Sequence, residues 1–374
     1  MPMLKTKVCH ISSLHPEKDH RIFFKECASL AKAGYDTHLI LCNRRAFNEL
    51  DVEVHNLTFE YTNRIDRIKK SLVYILGKAI EIDAEIYHLH DPELLMIAKR
   101  LKKLGKQVIY DAHEDVPIQI LGKPYIPKWL RKPIARIYRS FEANICKQID
   151  ATVVASPSML PRFESYNRAV GLFNFPQWRR AESVDWNSRE RAICYVGTLT
   201  ENRGLYNILE AIKDLDLTFY VAGNWHSKSF EQKCMAHPAW GKVEFLGYID
   251  QVQLYALLSR VKIGLSILHP LPNYKQAYTG KMFEYMAAGI PVLVSDFELW
   301  NQVVNQASCG QTCPPLNTLA LSSCIQTMLD DDQQSELQGK NGQQAAKDHY
   351  NWSSQEKKLY ELYHSLLNTA DEMA

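Results

Sequence analysis

Along the chain, short β-branched and apolar runs alternate with stretches whose apolar positions recur at helical spacing. The runs at residues 8–12, 37–41, 85–89, 107–110 and 152–155 predict buried parallel strands. Between them, residues 21–33 read as a helix closed by Gly34, and Pro92, following the good cap Asp91, opens a helix that ends by Gly105. The first half therefore predicts one doubly wound α/β sheet. The pattern weakens over residues 171–180, stays polar to Glu190, and restarts with runs at 193–196, 217–221, 243–246, 263–267 and 291–294. A second Rossmann-like sheet follows from these.

At 374 residues the chain exceeds the roughly 250–300 at which a single core stops growing. We expect an N-terminal Rossmann-like domain at 1–175 and a linker at 176–190. A second Rossmann-like domain should follow at 191–350. A last helix, 351–374, has apolar positions at Leu359, Leu362, Tyr363, Leu366 and Leu367, and should pack back toward the N-terminal domain.

A composition of 46% hydrophobic and 23% charged residues excludes disordered and fibrous classes. No run approaches the roughly 18 apolar residues of a bilayer span, and the start of the chain passes directly into a strand-like run; neither span nor signal peptide is expected. The nine cysteines are scattered without paired CxxC spacing, which predicts reduced thiols and a cytoplasmic location. Residues 1–175 carry 27 Lys+Arg against 20 Asp+Glu and the remainder 17 against 22, so the net +2 hides a basic front and an acidic back. No nucleic-acid-binding motif accompanies the basic residues, leaving an anionic substrate or membrane surface as the partner they suit.

Ligands of such sheets bind outside the carboxyl ends of the strands, so the loops there carry the candidate chemistry. The most distinctive runs Tyr278-Thr279-Gly280-Lys281-Met282-Phe283-Glu284-Tyr285-Met286-Ala287-Ala288-Gly289-Ile290-Pro291-Val292. Gly280 permits close approach, the free N–H groups of the helix start and the Lys281 ammonium suit a diphosphate, and Glu284 lies one turn on, placed to accept a ribose diol. On physics alone, a core helix with Lys281 and Glu284 as solvated charges is an equal alternative.

That segment resembles the Lys-x-Phe-Glu-Tyr-Met-Ala-Ala-Gly-x-Pro-Val signature of the family 4 retaining glycosyltransferases, which have the GT-B fold of two Rossmann-like domains facing each other across a cleft. The resemblance extends through residues 87–95, Tyr110-Asp111-Ala112-His113-Glu114-Asp115, Tyr195-Val196-Gly197 with Arg203-Gly204, and Phe245-Leu246-Gly247-Tyr248. It implies that Glu284 holds the nucleotide ribose and that Gly197, Thr198 and Tyr248 belong to the donor site. Many members carry an acidic residue where this chain has Gln276; an amide there still bonds sugar hydroxyls, helped by the backbone amides of Ala277, Tyr278 and Thr279. Of the two cations that usually grip the diphosphate only Arg203 survives, so Lys281 is expected to supply the second.

The resemblance also makes His113 the active-site histidine. Glu114 or Asp115 would orient it or receive an acceptor hydroxyl, and Arg21, in the loop after the first strand, would contact phosphate or acceptor; Asp19 is read as that helix's cap. His88 and His90 share one face of a strand with Asp91 beyond, which admits a metal site. Against it, Asp91-Pro92-Glu93 also reads as a helix opening, and the resemblance implies metal-independent donor binding. We therefore expect no metal and no cofactor, with His90 shaping the cleft. Residues 123–139 interleave Lys128, Arg131, Lys132, Arg136 and Arg139 with Trp129, Leu130, Ile134 and Ile137. They read either as a helix packed on the first sheet or as a basic amphipathic helix resting on anionic lipid, on the inner face of the cell membrane, near a polyprenol-linked acceptor.

The expected activity is hexosyl transfer, with retention, from a nucleotide-diphosphate sugar (a UDP-sugar) to a glycan or lipid-linked glycan in bacterial surface-polysaccharide assembly. The alternatives are a UDP-sugar 2-epimerase on the same fold and a non-catalytic nucleotide-sugar-binding subunit.

Overall fold

The computed structural model describes residues 5–45, 47–123, 125–178 and 184–371. Residues 179–183 of the expected linker and Pro124 of the basic segment lie outside them. The chain divides into two compact units, Met1–Asn174 with Gln355–Ala374, and Phe175–Ser354.

In the first unit, β1 (Lys7–Ile11), β2 (Asp36–Cys42), β3 (Asn48–Glu49), β4 (Val52–Leu57), β5 (Ile86–Leu89), β6 (Gln107–Ala112), β7 (Ala151–Val154) and β8 (Arg168–Gly171) form one sheet in the order β3-β4-β2-β1-β5-β6-β7-β8. Only the short β3 runs antiparallel, to β4. The chain moves outward from β1 to β2 and β4, then crosses to the other side of β1 at β5. Strand order therefore reverses between β1 and β5, where the loops leaving a parallel sheet splay apart. In the second unit, β9 (Ala192–Val196), β10 (Thr218–Ala222), β11 (Val243–Gly247), β12 (Ile263–Ser266), β13 (Val292–Ser295) and β14 (Gly310–Cys313) run parallel in the order β11-β10-β9-β12-β13-β14. The same reversal falls between β9 and β12.

Central strands are buried end to end, as a sheet covered on both faces requires: β5, β7, β12 and β13 have no exposed residue. The strands that periodicity missed, β3, β4, β8 and β14, all lie at or beside a sheet edge. There a face or a neighbour is lost, and sequences such as Val-Glu-Val-His-Asn-Leu and Gly-Gln-Thr-Cys are tolerated.

The helix after β1 opens with π-type turns, Ile22–Cys27, and continues through Ala28–Lys32. Asp19 accepts from the N–H groups of Arg21 (2.8 Å) and Ile22 (2.9 Å), as a cap should. Asp91 behaves otherwise: its carboxylate makes no cap contact and turns back to the loop after β1. The last helix, Trp352–Asp371, buries Leu359, Leu362 and Tyr363 completely. Within the first unit its Tyr360 hydroxyl donates to the Ser29 carbonyl, and its Tyr363 hydroxyl meets His10 at 3.1 Å. No helix among the described residues is long and apolar enough to cross a membrane.

Candidate functional site

In the second unit, the helix Gly280–Ala287 is fastened to both strands of the reversal point through Tyr285. The Tyr285 hydroxyl accepts from the Val196 N–H (3.2 Å) at the end of β9 and donates to the Leu265 carbonyl (3.3 Å) of β12. Its ring lies flat on Gly264, where a Cβ would stand 2.3 Å away. Two further bonds fix the loop before the helix: Thr279 to Ser266 (3.1 Å) and the Trp300 indole N–H to the Ala277 carbonyl (2.8 Å). The N-terminal end of this helix is thus held at the carboxyl end of the sheet.

Lys281, the second residue of that helix, extends over the Tyr195 ring, its ammonium 5.1 Å from the centroid. It comes down on Gly197, where a Cβ would lie 2.5 Å from Lys281 Cε and 3.6 Å from Arg203 Nη1. Arg203 reaches the same corner from a single 3-10 turn, Glu201–Arg203. Gly204 ends that turn at φ +75°, so close to the sheet that a Cβ would stand 1.8 Å from the Ile267 carbonyl oxygen; only glycine fits. Burial first, and repulsion from Arg203 second, bring Lys281 down to about 7. Two cations thus share one corner, without an ion pair to a carboxylate among the described residues. Such an arrangement costs free energy until an anion enters.

The other expected donor residues distribute around this corner. Glu284 stands half-buried one turn further along the helix, while Gly280 and Gln276 face solvent. Thr198 is exposed, and its carbonyl accepts from the Tyr195 hydroxyl (3.1 Å). Tyr278 is packed between the rings of Phe175 (5.8 Å) and Phe283 (5.4 Å), which leaves ligand contact there to backbone amides. Tyr248 follows β11, two strands from β9, and is 74% exposed.

In the first unit, the loops at the reversal point are tied together by Asp91. It accepts from the Ser12 hydroxyl (2.9 Å) and the Ser13 N–H (2.6 Å), and pairs with His15 at 3.2 Å. Burial opposes its charge, but His15 and the serine donors override this and hold Asp91 down at about 2. Burial likewise opposes charge on His15, yet the Asp91 carboxylate raises it above the ordinary imidazole value. His113, at the end of β6, meets the His15 ring edge-on at 4.8 Å and has Asp111 at 4.0 Å. Burial outweighs Asp111 and keeps the His113 imidazole below its ordinary value, beside a neighbour that Asp91 raises. His15 was missed as a candidate; its signal was position, four residues beyond β1, which neighbours in the sheet the strand that delivers Asp91.

Three expectations for this unit need correction. Arg21 is not available to phosphate or acceptor: it is buried, and its guanidinium grips Asp111 through Nε (2.8 Å) and Nη2 (3.0 Å) and the Leu172 carbonyl through Nη1 (2.8 Å). His90 does not shape a surface: it is fully buried, bonded to Asp111 at 3.1 Å and to His10 at 2.8 Å. Neither Glu114 nor Asp115 orients His113. Glu114 is exposed, and Asp115 caps the helix Val116–Gly122 through the Ile118 N–H (3.2 Å) while pairing with Arg162 (3.3 Å).

The basic segment is the helix Lys128–Cys146, which buries Ala135, Glu142, Ile145 and Cys146. One face packs, while Trp129 (76%) and Ile137 (69%) stand exposed among the cations.

With this geometry in hand, comparison with known proteins is direct. The model for glycosyl transferases group 1 matches residues 176–345, and that for glycosyltransferase family 4 matches residues 22–169. D-rhamnosyltransferase WbpZ of Pseudomonas aeruginosa is 21% identical over 352 residues, 86% of this chain and 85% of its own. Against the glycogen synthase of Mycobacterium tuberculosis the identity is 20% over 240 residues, 60% of this chain, and the chain spans only 56% of that relative's length. Sucrose-phosphate synthase from Thermosynechococcus elongatus superposes with a TM-score of 0.78 at 17% identity, over 98% of this chain and all of the other. Anabaena HepE, solved in complex with UDP, gives 0.75 at 12%, over 96% and 100%. The chain belongs to the family 4 glycosyltransferases and has their GT-B fold of two Rossmann-like parallel sheets.

Proposed function

We propose that this protein transfers a sugar from a UDP-sugar to a glycan or lipid-linked glycan acceptor, with retention of configuration. The observation that carries the reading is the convergence of Arg203 and Lys281 on Gly197 at the start of a helix, with Glu284 one turn along. A nucleoside diphosphate fits: its phosphates meet two cations and the helix N-terminus, and its ribose meets the carboxylate. That HepE was solved with UDP supports the choice of nucleotide. Breaking the sugar–phosphate bond places about one further negative charge on the leaving diphosphate, and fixed cations stabilise it as it forms. The departing phosphate oxygen then takes the acceptor proton on the face it leaves, which gives retention without a carboxylate nucleophile and makes Gln276 tolerable. Donor binding in this scheme uses no metal.

To the first unit we assign the acceptor and reaction-centre duties, with His113 as the sugar-contacting group and His15, paired with Asp91, as its neighbour. The exposed Trp129 and Ile137 among the cations of Lys128–Cys146 suit a peripheral contact with anionic lipid on the cytoplasmic face, in surface-polysaccharide assembly.

The test is a panel of nucleotide sugars measured for binding by calorimetry and for nucleotide release with glycan acceptors. UDP should bind wild type and bind Arg203→Ala and Glu284→Ala weakly, and turnover should yield a new glycoside. An epimerised sugar nucleotide as product, or unaltered UDP affinity in both variants, overturns the reading.

A further inference from the structure

Beneath the His113 cluster lies a second group of titratable side chains that donor chemistry does not use. His10 on β1 and His88 on β5 are register partners in adjacent parallel strands and project from the same face; His90 follows two residues along that face. Glu26, from the turns after β1, points down onto them. All four residues are fully buried.

The distances are regular. Glu26 Oε2 stands 3.9 Å from His10 Nδ1, 3.8 Å from His88 Nδ1 and 3.9 Å from His90 Nε2, and the four ligand atoms all lie within 4.8 Å of one another. In a tetrahedral site with metal–nitrogen bonds of about 2.0–2.1 Å the ligand atoms are roughly 3.3–3.4 Å apart, so drawing the carboxylate in by about half an ångström, and parting His10 Nδ1 from His90 Nε2, now 2.8 Å apart, by as much, closes the shell.

A second observation points the same way. Neither carboxylate oxygen of Glu26 receives a hydrogen bond; Arg21 Nε, 3.1 Å from Oε1, donates instead to Asp111. A buried carboxylate in that condition costs free energy that coordination to a cation would recover. The outer contacts are those that orient imidazole ligands: His90 Nδ1 bonds the Asp111 carboxylate and His10 Nε2 the Tyr363 hydroxyl, while His90 Nε2 and His10 Nδ1 face inward and share a 2.8 Å hydrogen bond that an ion would replace. An ion would take His88 Nδ1 from the Tyr363 hydroxyl, now 2.9 Å away, while that hydroxyl keeps His10.

We infer that His10, Glu26, His88 and His90 form a closed, four-coordinate site for one divalent transition-metal ion, of the nitrogen-and-oxygen ligand set that suits zinc. It is a structural site. It joins β1, β5 and the first helix and sits one hydrogen bond, through His90, from the Asp111 carboxylate beside His113. It does not depend on the proposed transferase reading.

The experiment is elemental analysis of the full-length protein, free of any histidine tag and grown with zinc, followed by reconstitution of metal-stripped protein with Co(II). About one zinc per chain is expected, with the intense visible absorption of four-coordinate cobalt. Glu26→Gln and His88→Gln should lower metal content at least about tenfold. His55→Gln, in the half-open His38–Glu53–His55 group, should leave it unchanged. Should the two variants fail to fold, wild-type stoichiometry and the cobalt spectrum decide alone. Less than about a tenth of an equivalent of zinc in wild type, with no tetrahedral cobalt spectrum, shows that the cluster is held by hydrogen bonds and a protonated Glu26, and the proposal is wrong.

Discussion

Both sheets reverse strand order at the same point in their topology, and both gather charged side chains there, yet the two corners are neutralised in opposite ways. Between β9 and β12 the charges are of one sign, Arg203 and Lys281, and among the described residues neither has an ion pair to a carboxylate. Between β1 and β5 charges of opposite sign are paired, Asp91 with His15 and Asp111 with Arg21. A corner of the first kind is one that an anion would stabilise. A corner of the second kind is stabilised by its own pairs, with His113 at its rim.

The sharpest way to break this contrast is to remove a cation from the uncompensated corner. Arg203→Ala should cost about 100 to 1000-fold in kcat/KM, read as donor-dependent nucleotide release, while the unfolding temperature without ligand holds or rises because a like-charge repulsion is relieved. Gly197→Ala should destabilise by about 1–3 kcal/mol, because its φ of +139° is strained for any side chain and the new methyl collides with Lys281. Chemical denaturation measures the first loss, and UDP titration shows the displaced lysine. Glu284→Ala should weaken UDP binding by about 1.5–3 kcal/mol but leave inorganic diphosphate binding unchanged, since only the ribose contact is removed.

The balanced corner should answer in stability instead. Asp91 sits below its unfolded value, so its contribution is present above pH ~4 and lost as pH falls through its folded value of about 2. Asp91→Asn should remove about 2 kcal/mol near neutral pH, measured by urea unfolding, and flatten that acid limb. His15, raised by the same pair, contributes with the opposite sign: its share is full at low pH and fades as pH rises through its folded value. The smallest effect is the proton count of binding. With Lys281 near 7 in the free protein, a diphosphate that favours the ammonium should take up a fraction of a proton at pH 7–8, and UDP affinity should decline as pH rises above 7. Calorimetry in two buffers of different ionisation enthalpy detects the uptake.

What could be read from the chain follows the same division. The central strands were legible because burial on both faces writes a continuous apolar run, and the edges were not because polar residues are tolerated there. Lys281 and Glu284 were legible because a single helix start carries them within four residues. That Lys281 meets Arg203, 78 positions away, over Gly197 was not, since it depends on Gly204 bringing its turn to the end of β12. Arg21 was misread for a related reason: a charge in a loop reads as solvent-facing until its partner, here Asp111 from β6, is located. The histidines show the limit most clearly. His88 and His90 suggested a metal as a pair, a reading outweighed by the helix opening at Asp91-Pro92-Glu93 and by metal-independent donor binding, while His10 and Glu26, which meet them in the fold, lie about 60 to 80 residues upstream.

The closing helix, Trp352–Asp371, places Tyr363 against His10, so the first unit is completed by the last segment of the chain, with the whole second unit intervening. Order of synthesis and order of assembly are therefore opposed. The sheet that leaves the ribosome first waits longest for its missing side, with His10 and the buried polar cluster uncovered until residues beyond 355 emerge, whereas the second unit has all its strands and helices to hand as soon as it is made. During synthesis the corner that holds Arg203 and Lys281 can be ready before the sheet that precedes it is closed.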